Sequence, residues 1–254
     1  MKLIYVIAIS TLAVILVSCG GTNSANRDGG GGDALFALQD NWQITMSSMS
    51  GTKGSAGGVF QENFHDGTVS GVLGNINPPC ASNGALSGSI QQNSINFSLN
   101  ESGLVIVYMG TIAEGAKSMS GTYTAPAGNC TIGDSGTWTA NRIPAVTGTW
   151  KGTLTPSSGG QAPFQVMLPL TQDSTGKVTG TSAITGSSCL NAISLATASP
   201  IAGQQLILAG QFDTGSALQL TTTLDLSGTT MNVDYSITGG SCDGQVGSGT
   251  LKKQ

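Results

Sequence analysis

Charged and aromatic residues are scarce in this chain of 254 residues: 9% are Asp, Glu, Lys or Arg, and 5% are Phe, Trp or Tyr. The formal net charge is −4, with nine Lys and Arg residues in all. Because a nucleic-acid-binding surface needs clustered cations, the sequence predicts no nucleic-acid partner. A single histidine, and the lack of a Walker A or dinucleotide motif, predict no metal site and no cofactor.

Glycine and apolar residues are abundant instead. The chain has 38 glycines against 8 prolines and shows no Gly-X-Y period, which excludes a collagen helix. The apolar content of 39% argues against a fully disordered chain. These proportions favour a neutral, β-rich, exported protein.

The N-terminus has the pattern of an export signal. Met1-Lys2 supplies a positive charge, and residues 3–17 form an uncharged, mostly apolar run. As a helix this run would cover about 22 Å, which is short for a bilayer core of ~30 Å. It is therefore interpreted as the hydrophobic region of a signal peptide and not as a permanent membrane span.

The end of this run, Leu16-Val17-Ser18-Cys19, resembles the lipobox of bacterial lipoproteins. In that family the cysteine thiol receives a diacylglycerol, the preceding peptide is removed, and the new N-terminus is acylated. The resemblance implies a signal peptide over 1–18, a lipidated Cys19, and anchoring to a membrane of the cell envelope. Gly20 replaces the aspartate that retains such proteins in the inner membrane, which favours the outer membrane in a two-membrane bacterium. Residues 19–37 then form the lipidated cysteine and a flexible, glycine-rich tether.

The rest of the chain repeats one unit twice. Gly71 precedes Cys80 by nine residues, and Gly180 precedes Cys189 by the same interval. Further matches are Trp42 with Trp150, Met119 with Met231, Tyr123 with Tyr235, Cys130 with Cys242, and residues 135–138 with 248–251. Because these matches run from end to end, we predict one unit at 38–143 and a second at 144–254.

Each unit has the pattern of antiparallel strands. Residues 231–237 alternate strictly between apolar and polar side chains, which is typical of a strand with one buried face. Clusters of Gly, Ser, Asn and Asp separate such runs. Eight runs in the second unit predict an all-β fold of two tandem eight-stranded up-and-down barrels, with a β-sandwich as the alternative. The runs are 147–154, 163–171, 176–184, 190–198, 204–210, 216–226, 229–238 and 246–252.

The cysteines are predicted to form one disulfide in each unit. Lipidation of Cys19 leaves four of the five cysteines, an even number. In an up-and-down barrel the third and seventh connections lie at the same end, and these connections hold the two cysteines of each unit. Of the three possible pairings, we therefore predict Cys80–Cys130 and Cys189–Cys242, formed in an oxidising compartment.

Gly148-Thr149-Trp150 opens the second unit and resembles the G-x-W that opens lipocalin and avidin-type barrels, the calycins. In lipocalins this tryptophan plugs the closed end of the barrel and packs under a basic residue of the last strand. The resemblance implies that part for Arg142, or for Lys252 with Lys253. The first unit departs from it with Asp40-Asn41-Trp42, and the chain as a whole is similar to uncharacterised Gly- and Thr-rich bacterial lipoproteins.

Gly133-Asp134-Ser135-Gly136 matches the nucleophile signature of chymotrypsin-like proteases. A serine nucleophile needs a base and an orienting acid, and the one imidazole, His65, stands in a different setting from that family's histidine. Because Val246-Gly247-Ser248-Gly249 holds the matching place in the second unit, we interpret the segment as turn chemistry. We predict that the protein is not an enzyme; a hydrolase acting on glycan or cell-wall material is the alternative.

The large aromatic residues have two interpretations. Trp42, Trp138, Trp150 and Tyr108 either pack the barrel cores or form platforms that stack on sugar rings or on a partner. Residues 104–109 are apolar on both faces, which predicts cover from the other unit or from a partner. The expected function is a lipid-anchored, non-catalytic binding or structural module for a small apolar ligand or an envelope partner. A surface adhesin is a further alternative.

Overall fold

The computed structural model describes residues 38–254 except 76–82, 102, 129–130, 158–160, 189 and 213–214. These residues form two closed antiparallel barrels of eight strands each, in tandem. The prediction of two up-and-down barrels is confirmed, and the β-sandwich alternative is wrong. A closed barrel pairs both edges of every strand and so leaves no edge open to other chains.

The strands of the first barrel follow the order of the chain. They are β1 (Asp40–Ser48), β2 (Lys53–Asn63), β3 (Thr68–Asn75), β4 (Asn83–Gln91), β5 (Ser94–Glu101), β6 (Leu104–Ile112), β7 (Ser118–Gly128) and β8 (Thr131–Ile143). β1 pairs with both β2 and β8, which closes the barrel. A 3₁₀ turn, Glu114–Ala116, joins β6 to β7.

The second barrel has the same topology. Its strands are β9 (Gly148–Pro156), β10 (Phe164–Gln172), β11 (Val178–Thr185), β12 (Ile193–Ala196), β13 (Gln205–Gln211), β14 (Ala217–Leu224), β15 (Thr230–Thr238) and β16 (Val246–Lys253). Each overlaps one of the eight predicted runs, although β12 is much shorter than the predicted 190–198. Within the described ranges, no helix has the length and apolar character needed to cross a bilayer.

β15 illustrates how these sequences form barrel walls. Its alternate apolar residues, from Met231 to Ile237, are buried inside the barrel, whereas Asn232 and Asp234 between them are exposed. The period of two places successive side chains on opposite faces of the strand. Removing the apolar face from water stabilises the fold by about 25 cal/mol per Å² of buried area.

The two barrels are filled by different kinds of side chain. The first has an aromatic core, in which Phe97 stacks on Tyr108 with ring centroids 4.6 Å apart, and Tyr108 lies 6.0 Å from Tyr123. The second has a core made mostly of Leu, Ile and Val. There Phe164 meets Tyr235 edge to face at 5.5 Å.

A tryptophan near the start of each first strand is fully buried in its barrel. The Nε1–H group of Trp42 donates to the backbone oxygen of Leu38 at 3.0 Å. Trp150 does the same to Val146 at 2.8 Å. The same hydrogen bond, four residues back in the chain, therefore satisfies the indole in both barrels, and the repeat extends to this detail.

Lys253 takes the part that the calycin resemblance implies for a basic residue of the last strand. It pairs with Trp150 across the sheet, and its Nζ lies 5.7 Å from the centre of the indole ring. The same ammonium group donates to the backbone oxygen of Ala145 at 2.8 Å. Arg142, at the corresponding place, instead forms an ion pair with Asp40 at 2.6 Å.

The second barrel packs on the outer wall of the first through the β12–β13 connection. Nδ2 of Asn41 donates to the backbone oxygen of Gly203 at 2.6 Å, and the N–H of Gly203 donates back to Oδ1 of Asn41 at 3.0 Å. The N–H of Gln204 donates to Oε1 of Gln43 at 3.0 Å. Both side-chain amides are buried, so these directional bonds set the position of one barrel on the other.

Apolar contact and close backbone approach complete this interface. Val59, on the outer face of β2, belongs to the same buried cluster as Ile201 of the second barrel. Gly57 lies so close to the chain that a Cβ atom there would collide with the backbone of Ala202 and Gly203. The approach therefore requires glycine at position 57.

Candidate functional site

Each barrel has a cysteine end, defined as the end that carries its third and seventh connections. In the first barrel these connections contain Cys80 and Cys130, which lie outside the described residues, as do Cys19 and Cys189. In the second barrel Cys242 is buried in a 3₁₀ turn between β15 and β16. Both predicted disulfides, and the lipidated cysteine, stay predictions.

The protease-like serine and the histidine lie at opposite ends of the first barrel. Ser135 is near the cysteine end, where its backbone oxygen accepts a hydrogen bond from the N–H of Met49 at 2.9 Å. His65 lies in the connection between β2 and β3, at the other end, and is exposed. The two side chains are separated by the length of a strand. In the part of the chain that the structure describes, no cluster of three or more His, Cys, Asp or Glu side chains could hold a metal ion.

Asp134 organises a hydrogen-bond network at the cysteine end of the first barrel. The hydroxyls of Tyr123 and Ser48 both donate to its carboxylate, and the N–H of Ser135 donates to Oδ1 at 2.8 Å. Burial alone would raise the pKa of Asp134, but these hydrogen bonds outweigh it and lower the pKa. Burial and the bond to Asp134 raise the pKa of Tyr123 to about 12. At neutral pH a neutral phenol therefore donates to a charged carboxylate.

Asp134→Asn should lower stability at neutral pH and have less effect in acid. Because the folded-state pKa of Asp134 lies below its unfolded value, its stabilising contribution is present above about pH 4 and is lost as the pH falls through the folded value. We expect the difference in unfolding midpoint between wild type and variant to shrink from pH 7 to pH 2. The other aspartates whose pKa is lowered by hydrogen bonds in surface turns, Asp66, Asp173 and Asp225, are common to both proteins, so their effect cancels. A difference that stays constant over this range would contradict the assignment.

The second barrel arranges the matched tyrosine differently. Strand pairing places Gly247 opposite Tyr235, as it places Gly136 opposite Tyr123. The fold therefore aligns residues 135–138 with 246–249, which is two residues earlier than the sequence match with 248–251. The residue equivalent to Asp134 is Gln245, two before Gly247, and its side-chain Nε2 donates to Oε1 of Gln161 at 3.0 Å.

The four aromatic residues singled out in the sequence all lie inside the barrels. Trp42, Trp138, Trp150 and Tyr108 are each at most 1% exposed. Trp138 donates from Nε1 to the backbone oxygen of Thr122 at 3.1 Å, and Tyr108 donates to Sδ of Met46 at 3.2 Å. None of these four rings offers a face to a sugar or a partner.

The outer face of β6 carries a row of exposed apolar side chains, here called the β6 stripe: Val105, Val107 and Met109. Their exposed fractions are 40%, 41% and 56%. The second barrel therefore does not cover this strand, in contrast to one of the two expectations from its sequence. The inward residues of the same strand, from Leu104 to Tyr108, are buried.

The wall around the β6 stripe is polar and uncharged. Across the sheet Val107 pairs with Ser98 and Thr124, and Met109 pairs with Asn96 and Thr122. In the second barrel, the equivalent strand β14 has polar residues at two of the three matching places. Leu220 pairs with Tyr235 as Tyr108 pairs with Tyr123, so Leu220 is the equivalent of Tyr108. The places that match the stripe are therefore Ala217, Gln219 and Thr221. The stripe therefore belongs to the first barrel, not to the repeat.

Comparisons with known proteins do not assign the chain to a family. No family model matches the chain, and no curated protein is similar to it. Among solved structures, it is similar to a protein of unknown function from the DUF3598 family of Nostoc punctiforme, with 11% identity over 85% of this chain and 97% of that one, at a TM-score of 0.28. It is also similar to the agglutinin of Burkholderia oklahomensis, with 11% identity over 85% and 95% of the two chains, at a TM-score of 0.22.

Proposed function

We propose that this protein is a lipid-anchored, non-catalytic module of the bacterial cell envelope. Cys19 holds it in a membrane, the outer one in a bacterium that has two, and the β6 stripe binds an envelope protein. The observation that carries the binding role is the stripe itself: three large apolar side chains exposed in a row on one strand. The anchor rests on the lipobox resemblance of residues 16–19.

The chemistry of the stripe indicates the kind of partner. Exposed apolar side chains that form a row on a polar wall are typical of a protein-binding surface. The neighbouring side chains, which include Ser98, Asn96, Thr122 and Thr124, carry hydroxyls and amides without charge. The partner surface should therefore be apolar at its centre, with a rim of uncharged hydrogen-bonding groups.

Photo-crosslinking in the native envelope tests the partner. A benzoylphenylalanine residue at Val107 should give one discrete adduct with an envelope protein after irradiation of intact cells. The matched control places the same residue at Gln219, the equivalent position of the second barrel, and should give no such adduct. Val107→Glu should abolish the adduct formed from benzoylphenylalanine at Met109. Equal labelling from Val107 and Gln219 is the result that contradicts a specific surface.

The second arm of this experiment tests the anchor. Cys19→Ser should move the protein from the membrane fraction to the soluble fraction, because three acyl chains bury many methylene groups at ~0.8 kcal/mol each. The mass of the native protein should show acylation together with the loss of four thiol hydrogens for the two predicted disulfides. A Cys19→Ser variant that stays with the membrane would disprove lipid anchoring and leave the partner proposal standing.

A further inference from the structure

The β6 stripe contains one side chain that an oxidant can change. Val105 and Val107 carry saturated hydrocarbon, whereas Met109 carries a thioether. Peroxides convert the thioether of methionine into a sulfoxide, which turns a flexible apolar side chain into a polar one. The chemistry of the stripe therefore depends on the oxidation state of a single sulfur atom.

The position of Met109 leaves this side chain open to small oxidants. It is the most exposed residue of the stripe, and its cross-strand neighbours Asn96 and Thr122 have shorter side chains. The backbone beneath it is fixed by strand pairing on both sides, and its carbonyl oxygen accepts a hydrogen bond from Nε1 of Trp138 at 3.3 Å. The thioether therefore projects from a rigid wall into water.

The other described methionines form a buried set and an exposed set. Met46, Met119 and Met231 lie in the barrel cores, which protects them from an oxidant in water. Met49, in the turn between β1 and β2, and Met167, on the outer face of β10, are exposed but lie outside the stripe. Oxidation of the folded protein should therefore be concentrated at three described positions, of which Met109 alone belongs to the proposed partner surface.

A sulfoxide at Met109 opposes the docking of an apolar partner. The centre of the proposed partner surface is apolar, so it offers no hydrogen-bond donor to the new oxygen. Docking would strip water from this oxygen without replacing its hydrogen bonds, which is unfavourable. Oxidation should therefore weaken binding without any change in the fold of the barrel.

We propose that Met109 is a redox-sensitive modification site that controls binding at the β6 stripe; the inference rests on the proposed partner surface. Hydrogen peroxide transfers one oxygen atom to the sulfur: an S–O bond forms, the O–O bond breaks, and the other oxygen leaves as water with both peroxide protons. The sulfur loses two electrons and the peroxide gains them. Methionine sulfoxide reductases, which take two electrons from thiols, restore the thioether, so the change is reversible.

Crosslinking of one partly oxidised sample tests this switch. The full-length protein is purified with benzoylphenylalanine at Thr124, treated with hydrogen peroxide until Met109 is partly oxidised, freed of peroxide, and irradiated with envelopes from cells that lack the protein. Thr124 pairs with Val107, and Lys117 places it on a different tryptic peptide from Met109. The sulfoxide can therefore be counted separately in crosslinked and in free protein. Crosslinked protein should contain about tenfold less Met109 sulfoxide, because one unpaired buried acceptor weakens binding by about that factor.

Met49 supplies the internal control, because it is 85% exposed and lies outside the stripe. Its sulfoxide should be equally abundant in crosslinked and in free protein. Equal abundance of Met109 sulfoxide in the two fractions, or a Met109 that stays reduced while Met49 is oxidised, would overturn the switch and leave the partner surface standing. The absence of a discrete adduct before peroxide treatment would instead disprove the partner surface, and the switch with it.

Met109→Leu supplies a second readout, because leucine is apolar and resists peroxide. After complete oxidation, the protein with Met109 should lose most of its adduct, whereas Met109→Leu should keep the adduct that it forms before treatment. Each protein is compared with its own untreated sample, so the starting yields need not match. Loss of the same fraction from both proteins would show that peroxide acts at another residue and would overturn the switch.

Discussion

Trp150→Ala should lower the free energy of unfolding by about 3–5 kcal/mol, the largest effect of any single substitution considered for this protein. The indole is fully buried, donates to Val146 at 2.8 Å, and lies under the ammonium group of Lys253. Its removal leaves a cavity at the end of the barrel opposite the cysteines and an unpaired backbone oxygen on Val146. Chemical denaturation followed by circular dichroism measures the loss.

Two lysines that are neighbours in sequence supply the control for the role of this tryptophan. Lys253→Met removes the cation over the ring and the hydrogen bond to Ala145, and should cost about 1–2 kcal/mol. Lys252→Met changes an exposed side chain on the outer face of β16 and should stay within about 0.5 kcal/mol of wild type. If the two lysine variants were equally stable, the packing of Lys253 over Trp150 would contribute nothing to the free energy of unfolding.

Asn41→Ala should destabilise the contact between the two barrels by about 2–4 kcal/mol. The side chain makes two hydrogen bonds to Gly203, and its loss leaves a buried N–H and a buried C=O of that residue unpaired. The barrels should then unfold in less tightly coupled transitions, because two of the hydrogen bonds that join them are gone while the bond from Gln204 to Gln43 remains. Differential scanning calorimetry measures this as the splitting or broadening of the wild-type peak.

Thr149→Ala is the matched control, since Thr149 precedes Trp150 as Asn41 precedes Trp42. We expect it to change stability by less than about 0.5 kcal/mol. A second interface variant, Gly57→Ala, should act like Asn41→Ala because the added Cβ collides with the backbone of Ala202 and Gly203. Unaltered calorimetric peaks in both interface variants would show that the barrels unfold independently of this contact.

The barrel architecture was predictable because it depends on local patterns. Period-two alternation, as in residues 231–237, specifies which face of a strand is buried, and the turn residues between runs specify where strands end. Counting eight runs in the second unit, together with the duplication, then led to two closed barrels. The one poor boundary, β12, lies in a segment where short strand pairing and a long connection leave little periodic signal.

The candidate sites were less predictable because they depend on which residues meet across the fold. Asn41 has no local signal, since its partner Gly203 is 162 residues away in the chain. Asp134 was visible in the sequence only as part of a turn motif, and its role as acceptor for Tyr123 emerged from the closure of β7 against β8. The two-residue shift of β16 against its predicted match hid the fact that Gln245 replaces Asp134.

The amino-acid order by itself determined the all-β class, the duplication and the inward face of each strand, because each of these follows from the burial of alternate apolar side chains within a few residues. Tertiary structure alone decided how the second barrel sits on the first, which tyrosine finds an acceptor, and that the outer side chains of β6 meet solvent. Those outcomes depend on distances between residues far apart in the chain, and no periodicity in the sequence encodes such distances.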